Sequence, residues 1–371
     1  MKNPFHLFGI GLALFYLGFN IYTAFWLARR LALGPKGRFI VFEGALLLSA
    51  FYPAARTFSS ACSGAFSDGL LWLGFFCFGA SFIVFWVLAL CDLALAGLGA
   101  LGLSRERLRG AALASLVLAC SFVALAAWRG AAPPRLKRVE ITVKNLPPAL
   151  DGFTIMQVSD LHLGRMIKLG RLEKIAGTAK DARPDLVVFT GDFAESREPL
   201  PAGTCGVIKN MQARYGKAAV LGNHDMFTGG AAAADFFAAC GVKVLRGQLY
   251  EPVPGLAVAG VDDLRRGGRE TIEKLVAALD RSKPLLFLSH QPQGFDEITA
   301  AGTGLVLSGH THKGQIFPFG PLERHMFKYF YGLYKAGDFS VYTTSGAGAW
   351  GPPLRLFADS ELPLLVLRSA R

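Results

Sequence analysis

The sequence predicts an α/β layered domain preceded by an all-α transmembrane region, and three observations carry that reading. Long apolar runs, nearly free of charge, fill much of residues 1–128. From residue 139 short β-rich runs alternate with amphipathic stretches, as in layered α/β folds. Five of the later apolar runs end in polar clusters: SDLHLG, TGDF, LGNHD, LSHQP and LSGHTHKG.

The membrane region comes first. Residues 5–28, 70–91 and 110–128 have the length a spanning helix needs, about 20 residues. Residues 39–55 are weaker, with Glu43 inside and Pro53 near the end. Four spans are expected, with three as the alternative, and the lipid bilayer is the first expected partner. A cleaved signal peptide fits poorly, because only Lys2 precedes the first run.

The formal net charge is +12, and its placement excludes one class of function. Residues 1–138 carry 13 Lys and Arg against 4 Asp and Glu, whereas residues 139–371 carry 26 against 23. The excess flanks apolar segments, where it meets anionic headgroups or sets topology. With no basic stripe in the second half, nucleic acid is not an expected main partner. Arg29, Arg30, Lys36 and Arg38 follow the first span, and Arg105, Arg107 and Arg109 precede the last. The positive-inside rule puts both groups in the cytoplasm, and four spans then place the C-terminal domain on the outer face. Arg129, Arg135, Lys137 and Arg138 argue the other way.

Residues 129–138 read as a short linker in which Pro133 and Pro134 discourage helix, and the second domain is expected over 139–371. Six cysteines are scattered with no C-x-x-C, so neither a zinc cluster nor a disulfide framework is expected. Cys205 and Cys240 read as small buried residues.

Within 139–371 strands are expected at 139–143, 153–159, 185–191, 218–223, 256–261, 285–290, 304–309, 339–345 and 363–368. Helices are expected at 168–181, 202–214, 231–240, 269–280 and 294–301. Open α/β sheets place their sites beyond the carboxyl ends of strands, so the five polar clusters should form one ligand cage. Five of the seven histidines lie in those clusters, together with Asp160, Asp192 and Asn223. Carboxylate, imidazole and amide oxygen without thiolate suit Mn, Fe or Zn. Asp160 and His162 are two apart, as are His310 and His312. In an extended segment each pair would project to one side.

The blocks D-x-H, G-D, G-N-H-D, H and G-H-x-H occur in that order across 160–312. In them the chain resembles the calcineurin-like metallophosphoesterases. The resemblance implies two mixed β-sheets packed face to face, flanked by helices, and two divalent metal ions (Mn, Fe or Zn). It implies that Asp160, His162 and His312 bind one metal, that Asn223, His290 and His310 bind the other, and that Asp192 bridges them. His224 is then the catalytic group at the leaving oxygen, with Asp225 expected to orient its ring. The implied activity is hydrolysis of a phosphomonoester or phosphodiester.

The segments GHTHKGQIFPFGPL (309–322) and SGAGAWGPPLRLF (345–357) resemble a membrane-associated bacterial branch of that family. That branch implies a bacterial inner or cell membrane and extends the substrate range to phospholipids or UDP-linked lipids. Lys313 stands where the branch often has glycine. Residues 315–334 interleave Phe317, Phe319, Phe327, Tyr329, Phe330, Tyr331 and Tyr334 with Arg324, His325 and Lys328. This composition fits either a membrane-facing lip or a packed cap. Asp262 and Asp263, followed by Arg265, Arg266 and Arg269, read as a solvated charged loop. A non-catalytic membrane scaffold or sensor is the alternative function, but such a protein would be expected to lose site residues, and none is missing here.

Overall fold

A computed structural model describes residues 4–102, 104–195, 200–227, 229–263, 268–300 and 302–370. Arg265 and Arg266 lie outside the described residues, as does the side chain of Arg269. The chain divides into two compact units, Met1–Ala131 with Gly351–Leu356, and Ala132–Trp350 with Phe357–Arg371.

The first unit is built from α1 (Pro4–Arg30), α2 (Pro35–Ala61), α3 (Ala65–Ala100) and α4 (Arg105–Ala131). All four contain stretches long and apolar enough to cross a membrane, including the weaker second one. Two polar contacts tie helices of the bundle together. Asn20 Nδ2 donates to Ser49 Oγ at 3.0 Å, and Arg30 meets Asp92 at 2.6 Å. The segment Gly351–Leu356 belongs to this unit because small residues admit it. A Cβ on Gly130 would overlap the Pro353 carbonyl oxygen, and Arg355 N donates to Ala126 O at 3.0 Å.

The supposed linker is mostly used up. Helix α4 runs on through Ala131, and strand β1 (Arg135–Val143) begins four residues later. The two prolines do stop the helix. The early start of β1 follows from its parallel pairing with β12 (Glu361–Ser369), in register from Arg135 opposite Glu361.

The second unit holds two six-stranded sheets. The first has the order β1, β12, β2 (Thr154–Val158), β3 (Leu186–Thr190), β4 (Lys217–Val220), β5 (Lys243–Val244). The second has the order β10 (Gly332–Ala336), β11 (Phe339–Thr343), β9 (Gly304–Ser308), β8 (Leu285–Leu288), β7 (Leu256–Gly260), β6 (Gln248–Val253). Both are mixed. Strands β2 to β5 run parallel, as do β7, β8, β9 and β11, while β6 and β10 pair antiparallel at the edges.

Strand side chains alternate between two apolar environments, which is why the strands read as unbroken apolar runs. Leu186 and Val188 of β3 face Leu286 and Leu288 of β8 across the inter-sheet core. Val187 and Phe189 turn the other way, onto α5 (Leu169–Ala182), α6 (Thr204–Asn210) and α8 (Gly230–Ala239). On α5 the contacts are Leu172, Ile175 and Ala179, spaced three and four apart on one face. Burying each of the two larger ones contributes about 1.5–3 kcal/mol. On the outer face of the second sheet, Phe287 and Val306 pack against Ile272 of α9 (Gly268–Ala278) and Ile298 of α10 (Asp296–Thr299). The result is a helix–sheet–sheet–helix sandwich.

Candidate metal centre

The carboxyl ends of β2, β3 and β4 in one sheet and of β8 and β9 in the other bring the five polar clusters together. Asp160 and His162 follow β2, Asp192 follows β3, and Asn223 opens the short helix α7 (Asn223–Phe227) after β4. His290 follows β8, and His310 and His312 follow β9. Two triads of donor atoms form there, Asp160 with His162 and His312, and Asp192 with His290 and His310, and a third, His162 with Glu195 and His224, adjoins the first. The donors of each lie within 4.8 Å of one another. His162 Nε2 is 3.1 Å from His312 Nε2, and His312 Nε2 is 3.5 Å from Asp160 Oδ1. His290 Nε2 is 3.1 Å from Asp192 Oδ2 and 3.2 Å from His310 Nδ1.

The pairing of residues two apart has a different origin from the extended segment expected. Asp160, His162, Asp192, His310 and His312 have φ of 53°, 51°, 52°, 72° and 47°, all in the left-handed region. That conformation costs non-glycine residues about 1–2 kcal/mol each, so it is held by contacts. Asp160 N donates to Gly191 O and His162 N to Asp192 O, each at 3.0 Å, and His310 N donates to Asp160 Oδ1 at 2.8 Å. Two glycines make room. A Cβ on Gly191 (φ 89°) would lie 2.6 Å from His290 Nδ1, and one on Gly222 would overlap the Asp192 carboxylate.

The donor set fits cations. His290 Nδ1 is 2.9 Å from Thr190 O, so its proton sits there and the Nε2 lone pair faces Asp192. In the same way His162 Nδ1 is 2.6 Å from Glu195 Oε2, which turns its Nε2 toward His312. Lone pairs and carboxylates aimed at one another repel unless positive charge lies between them. Asn223 Oδ1 is buried with no hydrogen-bond partner, and it lies beside Asp192, whose Oδ1 accepts His224 N at 2.8 Å. Without a metal the field acts on protons. Burial disfavours the His290 cation, yet the Asp192 carboxylate pushes the ring up to about 10. Burial likewise works against the Asp192 carboxylate, but His290 holds it well below its usual range.

Asp225 has a different place from the one expected. Its Oδ1 accepts the Phe193 and Ala194 amides at 3.0 and 3.1 Å, and its Oδ2 accepts Gly222 N at 2.9 Å. It therefore ties the β3 loop to the β4 loop. The acid beside the His224 ring is Glu195. His224 Nδ1 lies 3.2 Å from its carbonyl oxygen and 3.8 Å from its Oε2. The sequence did carry a signal for Glu195, an acid three residues beyond Asp192 and two past the TGDF block.

The remaining candidates are also placed. Lys313 Nζ sits 4.5 Å over the Tyr331 ring. Phe327, Tyr329 and Phe330 are buried, so this part of the aromatic segment is a packed cap. Cys205 and Cys240, expected as separate buried residues, form a disulfide with Cα atoms 5.1 Å apart, because α6 and α8 pack side by side.

Residues 153–314 match the sequence model of the calcineurin-like phosphoesterase family. A zebrafish (Danio rerio) protein named as a transmembrane protein with a metallophosphoesterase domain is 32% identical over 72% of this chain and 67% of its own length. A metallophosphoesterase of Bacillus subtilis is 32% identical over 64% of this chain and 87% of its length. One of Helicobacter pylori is 31% identical over 65% of each chain, so about a third of that relative lies outside the match.

Proposed function

This chain belongs to the calcineurin-like metallophosphoesterase family, and we propose that it is a membrane-anchored, two-metal hydrolase of a phosphomonoester or phosphodiester. The observation that carries the reading is the pair of donor triads at the meeting strand ends. Asp160, His162 and His312 would hold one divalent ion, and His290, His310 and Asn223 the other, with Asp192 shared. Bound there, the ions would supply Lewis-acid stabilisation of charge developing on the phosphoryl oxygens. The protein's own groups do the rest. Glu195 holds the His162 ring by Nδ1. The Glu195 carbonyl oxygen engages His224 Nδ1, which leaves His224 Nε2 to deliver a proton to the leaving oxygen. Asp225 acts through the backbone and positions the Asp192 and Asn223 loops.

The helices of residues 1–128 serve as a four-span anchor, and the catalytic domain lies on the outer face of a bacterial cell membrane. Loop charge and the Cys205–Cys240 disulfide both support that side, since disulfides persist in oxidising compartments. The test is turnover of nitrophenyl phosphate esters by the purified full chain, stripped of metal and reloaded with Mn, Fe or Zn. Activity should return with metal and be absent in Asp192→Asn. Full activity of Asp192→Asn would overturn the two-metal reading.

A further inference from the structure

The loop bearing His310 and His312 continues past the metal centre into a surface feature with no role in the chemistry above. It turns through Gly314, packed against Gly320, and enters α11 (Phe319–Glu323). The following residues are held firmly. The Phe327 ring lies 5.5 Å from the His310 ring, Tyr329 stacks on Phe295 at 5.9 Å, and Thr311 Oγ1 donates to Phe330 O at 2.8 Å.

Between these anchors, apolar side chains stand outward. Phe319 is 42% exposed, Leu322 59% and Met326 72%, at spacings of three and four residues. Arg324, His325 and Lys328 are exposed among them. The acid of this stretch, Glu323, is half-buried, and burial pushes its carboxyl up to about 7. The surface is therefore apolar at its tips with basic side chains between them, Lys328 Nζ lying 3.9 Å from the exposed Asp296 Oδ1. On the other flank of the centre, Phe227 and Trp350 are also exposed, with rings 6.1 and 6.4 Å from His224.

We propose that this crest is a membrane-docking surface. Phe319, Leu322 and Met326 enter the interface of an anionic bilayer while Arg324 and Lys328 meet lipid phosphates. Lipid phosphate esters are thereby brought to the metal centre, and that last consequence rests on the phosphoesterase reading. Protruding apolar side chains interleaved with cations match an interface of acyl chains below and phosphates above. The same chain carries four helices long and apolar enough to cross a membrane, which is what argues for a bilayer as the occupant.

The test uses the full chain with Cys62, Cys77, Cys91 and Cys120 replaced by serine. Met326→Cys carries an environment-sensitive fluorophore, and Glu173→Cys on the exposed face of α5 serves as the control. Both are reconstituted in nanodiscs of phosphatidylcholine, with or without phosphatidylglycerol, doped with quencher-bearing lipids. The label at 326 should be quenched several-fold more than the label at 173. The difference should shrink when Leu322→Asp is added or when phosphatidylglycerol is omitted. Equal quenching at the two positions overturns the proposal and points to a protein partner for the crest. Quenching indifferent to Leu322→Asp overturns it as well, and quenching indifferent to phosphatidylglycerol overturns the assignment of Arg324 and Lys328. Nitrophenyl ester turnover by the unsubstituted chain in the same discs separates the two readings. Turnover without lipid contact removes the docking surface alone, and lipid contact without turnover removes the phosphoesterase reading alone.

Discussion

Glu195 Oε2 lies 2.6 Å from His162 Nδ1, and a carboxylate behind a ligating imidazole both orients the ring and strengthens its lone pair. Glu195→Gln should weaken metal binding about 10–100-fold, and Glu195→Asp should recover part of that loss. Metal titration followed by elemental analysis measures both. Wild-type affinity in Glu195→Gln would leave the residue a purely local role. His224 should behave differently, because its backbone amide rather than its ring touches Asp192. His224→Ala should retain metal yet lose about 100- to 10,000-fold in kcat, most with poor leaving groups. An equal loss on activated and unactivated esters would contradict a proton-donating role. Glu323 offers a test away from the metals. Burial pushes its carboxyl up to about 7, whereas the unfolded chain releases that proton near 4.3. The unfolded state therefore binds fewer protons between those values, and stability falls as pH rises through that window toward 7. The loss is roughly 1–3 kcal/mol, given the partial exposure of the group. Glu323→Gln should raise the thermal midpoint in detergent at pH 8 and leave it nearly unchanged at pH 4. An equal shift at both values would trace the effect to packing instead.

Most strands that sequence reading recovers are buried on both faces, β1 being an exposed edge strand found by its β-rich run. Runs such as Leu186–Thr190 and Gly304–Ser308 are apolar throughout because a sheet lies on one side and helices on the other. The strands it misses lie at edges. Strand β5 is two residues long, β6 carries Gln248, Glu251 and Pro252, and β10 alternates half-buried and exposed residues, with Gly332 at its start. Edge strands carry polar and helix-breaking residues because one side faces no partner, which erases the apolar signal. The site was legible for the same reason in reverse, since polar residues at the ends of apolar runs stand out. The left-handed backbone of Asp160 and His162 was not legible, because contacts from the loops after β3 and β11 impose it. Nor was the Cys205–Cys240 pair, which depends on how α6 and α8 pack. That crosslink closes a loop of sequence separation 35 and should contribute about 3–4 kcal/mol by restricting the unfolded chain. Replacing both cysteines with serine should lower the thermal midpoint, and reductant should then have no further effect. A midpoint unchanged by the double substitution would show that the two thiols are not paired in the folded protein.

At the scale of the whole chain the open quantity is the side of the membrane on which hydrolysis happens, and three features bear on it. Four spans return the chain to the side where it started, so the domain that follows α4 shares the face of the first residues. Arg29, Arg30, Lys36 and Arg38 follow the first span, and Arg105, Arg107 and Arg109 precede the fourth, so both clusters belong on the opposite, cytoplasmic face. The ion pair between Arg30 and Asp92 is consistent with this arrangement. It joins the last turn of α1 to the later part of α3, a 36-residue helix of about 54 Å that exceeds the roughly 30 Å hydrocarbon core. Such a pair near an interface offsets part of the positive charge of that loop but leaves Arg29, Lys36 and Arg38. Against this stand Arg129, Arg135, Lys137 and Arg138, and the structure changes the weight of the last three. All three lie in β1, within the second unit, and Arg135 and Lys137 pair with Asp359 and Glu361 at 3.7 and 3.3 Å. Charges neutralised within a folded domain contribute less to topology than those in a short loop. The expected outcome is that a reporter active only outside the cytoplasm works when fused after Arg371 and fails when inserted at Lys36. A membrane-impermeant thiol reagent applied to reduced intact cells should likewise label Cys205. Reporter activity with the opposite pattern would place the metal centre in the cytoplasm, where the disulfide would not persist.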